Sequence, residues 1–164
     1  MLSEMLKREY IKLNQECNDW KDAIRQAGNI LLEKKIVTEE YIYNTIKTIE
    51  MLGPYVVVTK GIAIPHCSGS YGVNKNGIAL MTLKEPIKFG NLQNDPVYCI
   101  FLFANNDINI HIDALSGLAN LLEKEDFLNM IKNAKDAQDI LDYINKEEIK
   151  NDWDKRTKEI IKWE

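Results

Sequence analysis

The chain has 164 residues and a mass of 19.0 kDa, a length that fits one domain. Its composition, 45% hydrophobic and 28% charged, is that of a globular protein and excludes a disordered or fibrous chain. The 21 basic residues against 25 acidic ones give a net charge of −4 and a pI near 5.3. This balance argues against a general nucleic-acid binder, because such a protein needs a basic face.

Three features of the sequence indicate its compartment. The longest apolar run, 96–104, is too short for a membrane helix, which needs about 20 apolar residues. Residues 1–9 carry charges where a signal peptide would be apolar. The cysteines Cys17, Cys67 and Cys99 are odd in number and widely spaced, which is typical of free thiols in a reducing compartment. The sequence therefore predicts a cytoplasmic protein without a structural zinc site or other metal.

The first third of the chain shows a short strand and two helices. Apolar residues at even spacing predict a strand at 10–15. A cap at 18–19 precedes apolar positions that recur at helical spacing. Those positions are Trp20, Ala23, Ile24, Ala27, Ile30 and Leu31. Thr38 caps a second predicted helix, which the Gly-Pro pair at 53–54 ends.

The middle of the chain changes from helical to strand patterning. Nearly continuous apolar runs, rich in β-branched and aromatic residues, predict strands that are buried on both faces. These runs lie at 55–59, 62–64, 77–83 and 97–103. A loop of turn residues, 68–76, separates the second run from the third.

Helical periodicity returns after the last predicted strand. Apolar stripes predict helices around 114–122, 127–131 and 137–144. The charged tail keeps apolar side chains that suggest a final helix, either docked on the domain or packed on a second copy: Trp153, Ile160, Ile161 and Trp163. Helices that precede and follow a doubly buried sheet predict an α/β sandwich in a single domain.

His66 is the first candidate for chemistry. It ends the segment Gly61-Ile62-Ala63-Ile64-Pro65-His66, where a predicted strand meets the loop, and open α/β sheets place their sites at strand ends. Pro65 fixes its own φ and lacks an N–H, so it stiffens the backbone that carries the imidazole. A nucleophilic histidine that must present one ring nitrogen in line would benefit from this stiff backbone. The alternative is a half-buried histidine that only hydrogen-bonds the loop.

His111 is the second candidate. It lies between the most apolar predicted strand and an amphipathic helix, at or near the helix N-terminus. A helix N-terminus offers unpaired N–H groups and partial positive charge, and is therefore a ready anion site. There the imidazole could donate a hydrogen bond to a phosphoryl oxygen. The alternative is a helix-start histidine that faces water.

Other candidates for catalysis are weaker. The sequence contains no phosphate loop, dinucleotide-binding glycine motif, nucleophile elbow or H-E-x-x-H motif. Cys67 directly follows His66, and adjacent side chains on an extended backbone point to opposite faces, so a Cys–His dyad is geometrically poor. Lys60 could lend positive charge to an anion at His66, although a surface lysine is the simpler interpretation.

The motifs around the two histidines resemble those of a known family. The Pro-His segment 61–66, the strand 77–83 and the segment His111-Ile112-Asp113-Ala114-Leu115 are similar to the enzyme IIA (EIIA) domains of the phosphoenolpyruvate-dependent sugar phosphotransferase system (PTS), in the fructose–mannitol superfamily. Segments 52–58, 83–90 and 94–97 resemble the ascorbate-specific branch more narrowly. The resemblance covers roughly residues 8–145.

This resemblance implies a fold, a reaction and partners. The fold would be the mannitol/fructose-type EIIA fold, a central mixed β-sheet flanked by helices on both faces. His66 would correspond to the phosphorylated histidine and His111 to the second active-site histidine, with no cofactor or metal. The phosphocarrier protein HPr would donate the phosphoryl group, and a cysteine of the IIB component, which works with a membrane IIC component, would accept it during uptake of an ascorbate-type sugar.

The resemblance also implies the domain boundaries, and the sequence departs from the family pattern at one position. Residues 1–145 would form the EIIA domain, and 146–164 would be a C-terminal helical extension rather than a separate domain. Mannitol-type members use an arginine in the helix before the Pro-His strand, but the corresponding count ends on Glu50, and no arginine lies between Arg25 and Arg156. The source of positive charge at the site is therefore not given by the sequence.

Three questions remain open at the level of sequence. The chain could instead be a regulatory IIA-like module whose phosphorylation state controls a binding partner, and a homodimer is also left open. A metal-dependent hydrolase built on the two histidines lacks paired ligand spacing. For docking of partners, we expect an apolar centre near His66 with acidic groups nearby. Its candidates belong to no helical or strand stripe, and the alternative for each is that it packs inward beneath the loop: Tyr71, Val73, Ile108 and Ile110.

Overall fold

Five strands form one mixed sheet in the order β1-β4-β5-β3-β2. In this computed structural model, residues 1–162 are described, so the predicted contribution of Trp163 to the tail lies outside the described residues. The strands are β1 (Ile11–Gln15), β2 (Val57–Thr59), β3 (Ile62–Ala63), β4 (Gly77–Ile87) and β5 (Val97–Ala104). β1 runs parallel to β4 and β3 runs parallel to β5, whereas β4–β5 and β2–β3 are antiparallel.

Helices cover both faces of the sheet, as predicted. They are α1 (Leu2–Met5), α2 (Trp20–Glu33), α3 (Glu39–Leu52), α4 (Ile108–Leu122), α5 (Glu125–Asn133) and α6 (Ala137–Ile161). β4 and β5 are buried along most of their length, which is why their sequences read as continuous apolar runs and not as alternating ones. The predicted single-domain α/β sandwich with a mixed central sheet is confirmed.

Two local features differ from what the sequence indicates. β2 begins at Val57 and not at residue 55, because Tyr55 and Val57 donate backbone hydrogen bonds into the Gly53-Pro54 turn. The short helix α1 carries no periodic signal, yet Leu2 and Met5 are buried.

The tail is not a separate final helix. It continues α6 without a break, since residues 137–161 contain no glycine or proline that would end the helix. Glu148 of this helix accepts hydrogen bonds from the backbone N–H and the hydroxyl of Ser3. Beyond that contact the helix is exposed.

The sheet topology places the two histidines at the same edge. Because β3 and β5 are parallel neighbours, their carboxyl ends meet at one end of the sheet. The chain reaches His66 three residues after β3, and it reaches Asn105 and then α4 directly after β5. Residues far apart in sequence are therefore adjacent at this edge.

Candidate active site

His66 and His111 face each other across an open cavity of about 690 Å³. Their ring centroids are 5.4 Å apart, with the planes tilted by 49°. Both rings are partly exposed. The structure thus brings together the two side chains that the sequence singled out, at a separation at which both could touch one small anion.

The ring of His66 is held in one orientation. Its Nδ1 lies 2.8 Å from the carbonyl oxygen of Ile64. Because a carbonyl only accepts, Nδ1 carries the proton, and Nε2 keeps its lone pair. The ring of Tyr55 meets His66 edge-on at 6.0 Å, and the Tyr55 hydroxyl donates to the His66 carbonyl over 3.1 Å. The carbonyl of Pro65 accepts from the Phe103 N–H at 3.0 Å, which fastens this segment to β5.

His111 is the fourth residue of α4, in its first turn, as predicted. Its ring packs edge-on against Phe103 at 5.8 Å. Its Nδ1 lies 3.0 Å from Nδ2 of Asn105. Burial lowers the pKa of His111 below its usual value of 6.5, and the nearby His66 lowers it further. The neutral form of this imidazole is therefore favoured.

The N-terminus of α4 is not the open anion site that the sequence predicted. The carboxylate of Asp107 caps the helix and accepts from the N–H groups of Asn109 at 2.9 Å and Ile110 at 3.3 Å. The N–H of His111 donates to the Asp107 carbonyl. The cap therefore occupies the N–H groups of Asn109 and Ile110, which are not free to bind an anion.

Cys67 is not positioned as a nucleophile. Its thiol receives a hydrogen bond from the Thr45 hydroxyl at 3.3 Å, on the side of α3. Burial raises the pKa of this thiol, so it stays protonated near neutral pH. The buried Tyr41 hydroxyl donates to the carbonyl of Phe103, and the Cys67 N–H donates to that hydroxyl over 3.4 Å. Tyr41 therefore ties the His66 segment to β5.

No lysine or arginine lines the cavity within the part of the chain that the structure describes. Glu50 is on a different face of α3, where it pairs with Lys21 and Lys47. Helix α3 instead presents Thr48 and Leu52 to the cavity. Positive charge for a bound anion is thus not supplied by an arginine of this helix.

The predicted apolar docking residues have three different placements in the structure. Tyr71 and Ile108 line the cavity mouth and are 46% and 67% exposed. Ile110 is exposed but faces a different depression, beside Met1. Val73 packs against the core and pairs with Val37, which is the inward-packing alternative. A valine in a loop can pair through an isolated β-bridge, and no local sequence pattern predicts such a bridge.

Two further observations concern residues 1–162 as a whole. No helix there is long and apolar enough to cross a membrane. No three histidine, cysteine or acidic side chains of these residues cluster so that they could hold a metal ion.

Comparison with known proteins agrees with the fold. The family profile "Phosphoenolpyruvate-dependent sugar phosphotransferase system, EIIA 2" matches residues 4–147. The chain is 33% identical over 137 residues to the ascorbate-specific PTS system EIIA component of Salmonella choleraesuis (strain SC-B67), covering 83% of this chain and 89% of that protein.

Two solved structures are also similar. The mannitol-specific cryptic phosphotransferase enzyme IIA CmtB from Escherichia coli has a TM-score of 0.78 at 27% identity, covering 88% of this chain and 98% of that one. The mannitol IIA in its complex with phosphorylated enzyme IIB, also from Escherichia coli, has a TM-score of 0.75 at 25% identity, covering 86% and 99%.

The five-stranded mixed sheet with helices on both faces is the fold of the mannitol-type enzyme IIA proteins. The chain belongs to the EIIA type 2 family of the phosphoenolpyruvate-dependent sugar phosphotransferase system. EIIA components are phosphotransferases that work through a phosphohistidine.

Proposed function

We propose that His66 is the phosphorylated residue of this EIIA protein and that His111 stabilises the phosphoryl group. The observation that carries the proposal is the locked ring of His66, whose Nδ1 is bound to the Ile64 carbonyl and whose Nε2 lone pair is left as nucleophile opposite His111. Histidine is suited to the role because its neutral form is abundant near neutral pH, and its phosphoramidate is readily passed on.

The reaction is a pair of in-line displacements. In the first, the Nε2 lone pair of His66 attacks phosphorus, a P–N bond forms, and the bond from phosphorus to the donor breaks. In the second, an acceptor thiolate attacks the same phosphorus, and the P–N bond to His66 breaks, which returns the electron pair to Nε2. Such transfers depend mainly on positioning and on donors to the equatorial oxygens. His111 is the donor placed for that purpose.

The donor is the phosphocarrier HPr, and the acceptor is a cysteine of the IIB component, which acts with a membrane IIC component. The similar mannitol IIA forms a complex with phosphorylated IIB, and this supports the second step. Uptake of an ascorbate-type sugar is supported by the 33% identity to ascorbate-specific relatives. All of this chemistry would take place in the cytoplasm.

Residues 1–145 would form the EIIA domain and 146–164 its helical extension. This division is supported by the family match, which ends at residue 147, and by the exposure of α6 beyond Glu148. The exposed part carries an apolar stripe, Ile149, Trp153 and Ile160.

A homodimer through this extension is supported by its charge pattern. Its first half is rich in acidic residues, namely Glu147, Glu148, Asp152 and Asp154. Its second half is rich in basic ones, namely Lys155, Arg156, Lys158 and Lys162. Antiparallel pairing of two copies would match these halves. Light scattering should give a dimer for the wild type and a monomer for Trp153→Glu, while Lys150→Gln serves as a control that keeps the stripe.

Intact-mass measurement after incubation with phosphoenolpyruvate, enzyme I and HPr tests the main proposal. The wild type should gain one phosphoryl group that is labile in acid and stable in base. His66→Ala should gain none, although its fold is retained by circular dichroism. Full labelling of His66→Ala would refute the assignment of His66.

A further inference from the structure

Asn105 directly follows β5 and contacts the ring of His111. Its Nδ2 lies 3.0 Å from His111 Nδ1, and the side chain is only 9% exposed. The sequence analysis did not select it, because an asparagine at the start of an Asn-Asn-Asp turn is ordinary turn chemistry. We propose that Asn105 is a positioning residue for phosphoryl transfer that fixes the proton of His111 on Nε2; the inference rests on the proposed role of His111.

The chemistry of the two side chains decides where that proton lies. An amide NH₂ group can only donate, so His111 Nδ1 must accept, and a neutral imidazole then carries its proton on Nε2. Among the described residues, Nε2 has no other partner. It is therefore the N–H that remains available for a phosphoryl oxygen.

The two histidines are thus locked in opposite tautomers. The Ile64 carbonyl holds the proton of His66 on Nδ1, which leaves a lone pair on Nε2 for attack on phosphorus. The Asn105 amide holds the proton of His111 on Nε2, which leaves a donor for the transferred group. With the other tautomer, His111 would present a lone pair to an anion and repel it. The tautomer of His111 matters more in this cavity because no lysine or arginine among the described residues lines it.

The backbone around Asn105 is held firmly. A Cβ added to Gly69 would lie 2.0 Å from the Asn105 carbonyl oxygen, so only glycine allows the loop to approach this closely. The Tyr41 hydroxyl binds the carbonyl of Phe103, two residues earlier. The Asn106 N–H donates to the Asn76 side chain at 3.1 Å. Such contacts fix the position from which the amide reaches His111.

An asparagine at position 105 has an energetic cost, and this cost indicates a functional reason for the amide. The Oδ1 of Asn105 is buried and has no hydrogen-bond partner in the described part of the chain. An unpaired buried acceptor is unfavourable, and an apolar side chain of the same shape would avoid the penalty. Packing stability alone therefore favours leucine at this position, whereas control of the His111 tautomer requires the amide.

The tautomer can be measured in the unphosphorylated protein by long-range ¹H–¹⁵N NMR of the histidine rings at a pH where they are neutral. The wild type should show His111 protonated on Nε2 and His66 protonated on Nδ1. In Asn105→Leu, His111 should populate both tautomers while His66 is unchanged. Asn109→Leu, on the exposed side of the same helical turn, is the matched control and should leave both rings as in the wild type.

Transfer kinetics test the consequence. Loss of a partner that orients a histidine typically costs about 10- to 100-fold in activity, so Asn105→Leu should pass its phosphoryl group to IIB that much more slowly without loss of thermal stability. His111→Gln supplies a donor amide that has no tautomer. Adding Asn105→Leu to His111→Gln should therefore cause no further slowing.

The possible results separate this inference from the proposed function. Protonation of wild-type His111 on Nδ1, or an Asn105→Leu protein with unchanged tautomer and unchanged transfer, would overturn the role of Asn105 alone. A wild type whose His66 takes up no phosphoryl group would overturn the proposed function, while the NMR result would still decide whether Asn105 sets the tautomer.

Discussion

The Nε2 atoms of His66 and His111 are left free by two different hydrogen bonds, one from His66 Nδ1 to a backbone carbonyl and one from an asparagine amide to His111 Nδ1. The rings stand 5.4 Å apart, beside the edge of the sheet where the parallel strands β3 and β5 end. In the proposed roles, the imidazole of His66 attacks phosphorus and the imidazole of His111 donates to the phosphoryl group. Phosphoryl transfer depends mainly on alignment and on donors to the oxygens, and these two proposed roles would supply both.

Removal of the second imidazole should impair transfer more than uptake. We expect His111→Ala to accept a phosphoryl group on His66 but to pass it to IIB about 100- to 1,000-fold more slowly, the usual effect of removing one donor aimed at developing charge. Rapid-quench kinetics with purified IIB measure this rate. Transfer at the wild-type rate would show that His111 is only structural.

The lowered pKa of His111 should appear in the pH dependence of stability. In the unfolded chain this histidine takes up a proton near its usual pKa of 6.5, while the folded protein resists protonation until lower pH. The unfolded state then binds more protons, so the free energy of unfolding falls as the pH drops through this interval. Urea denaturation between about pH 8 and pH 5 should show a smaller fall for His111→Gln than for the wild type. An NMR titration midpoint for His111 above 6.5 would contradict the expected sign.

The exposed apolar side chains at the cavity mouth should contribute to docking. A side chain that matters in such a contact is worth about 1–2 kcal/mol, so Tyr71→Ala and Ile108→Ala should each raise the KM for phospho-HPr about 5- to 30-fold. Leu92→Ala, at a 99% exposed position that does not line the cavity, should leave the KM unchanged. If the KM values of Tyr71→Ala and Ile108→Ala, like that of Leu92→Ala, equal the wild-type value, this surface is ruled out as a docking site.

Charge should affect the rate of that encounter. The acidic chain, with a net charge of −4, suits a donor whose docking face is basic. Raising the salt from about 0.1 M to 1 M shortens the Debye length from about 10 Å to 3 Å, so transfer from phospho-HPr should slow. A rate that does not change with salt would exclude electrostatic steering.

Two glycines offer a matched test of the loop that holds Asn105. Gly69→Ala places a Cβ 2.0 Å from a backbone oxygen and should destabilise the protein by about 1–3 kcal/mol. Gly117→Ala, inside α4, meets only the Leu2 Cβ at 4.0 Å and should stabilise by up to about 1 kcal/mol because alanine is the better helix former. Urea denaturation measures both changes. Gly69→Ala as stable as the wild type would mean that the loop does not approach β5 as closely as described.

Sequence patterning determined the architecture because burial imposes local periods. The continuous apolar runs of β4 and β5 identified strands buried on both faces. Thr38 and the Gly-Pro pair at 53–54 marked the two ends of α3 closely, although the Thr38 side chain makes no capping hydrogen bond. The two histidines were selected for similar reasons, as each stands where a strand ends or a helix begins. Their role as the reacting pair stays a proposal.

Contacts between residues distant in sequence were decided only by the tertiary structure. No local sequence pattern predicts such contacts, since each depends on which elements become neighbours. Examples are the bridge of Val37 with Val73, the hydrogen bond of Asn105 with His111 and that of Ser3 with Glu148. The same holds for the Asp107 cap, which closes the helix terminus that sequence alone predicted to be open. Periodicity reports which face of an element is buried. The partner of a polar group is set by the packing of whole elements, which here brings a backbone carbonyl to His66 and an asparagine amide to His111.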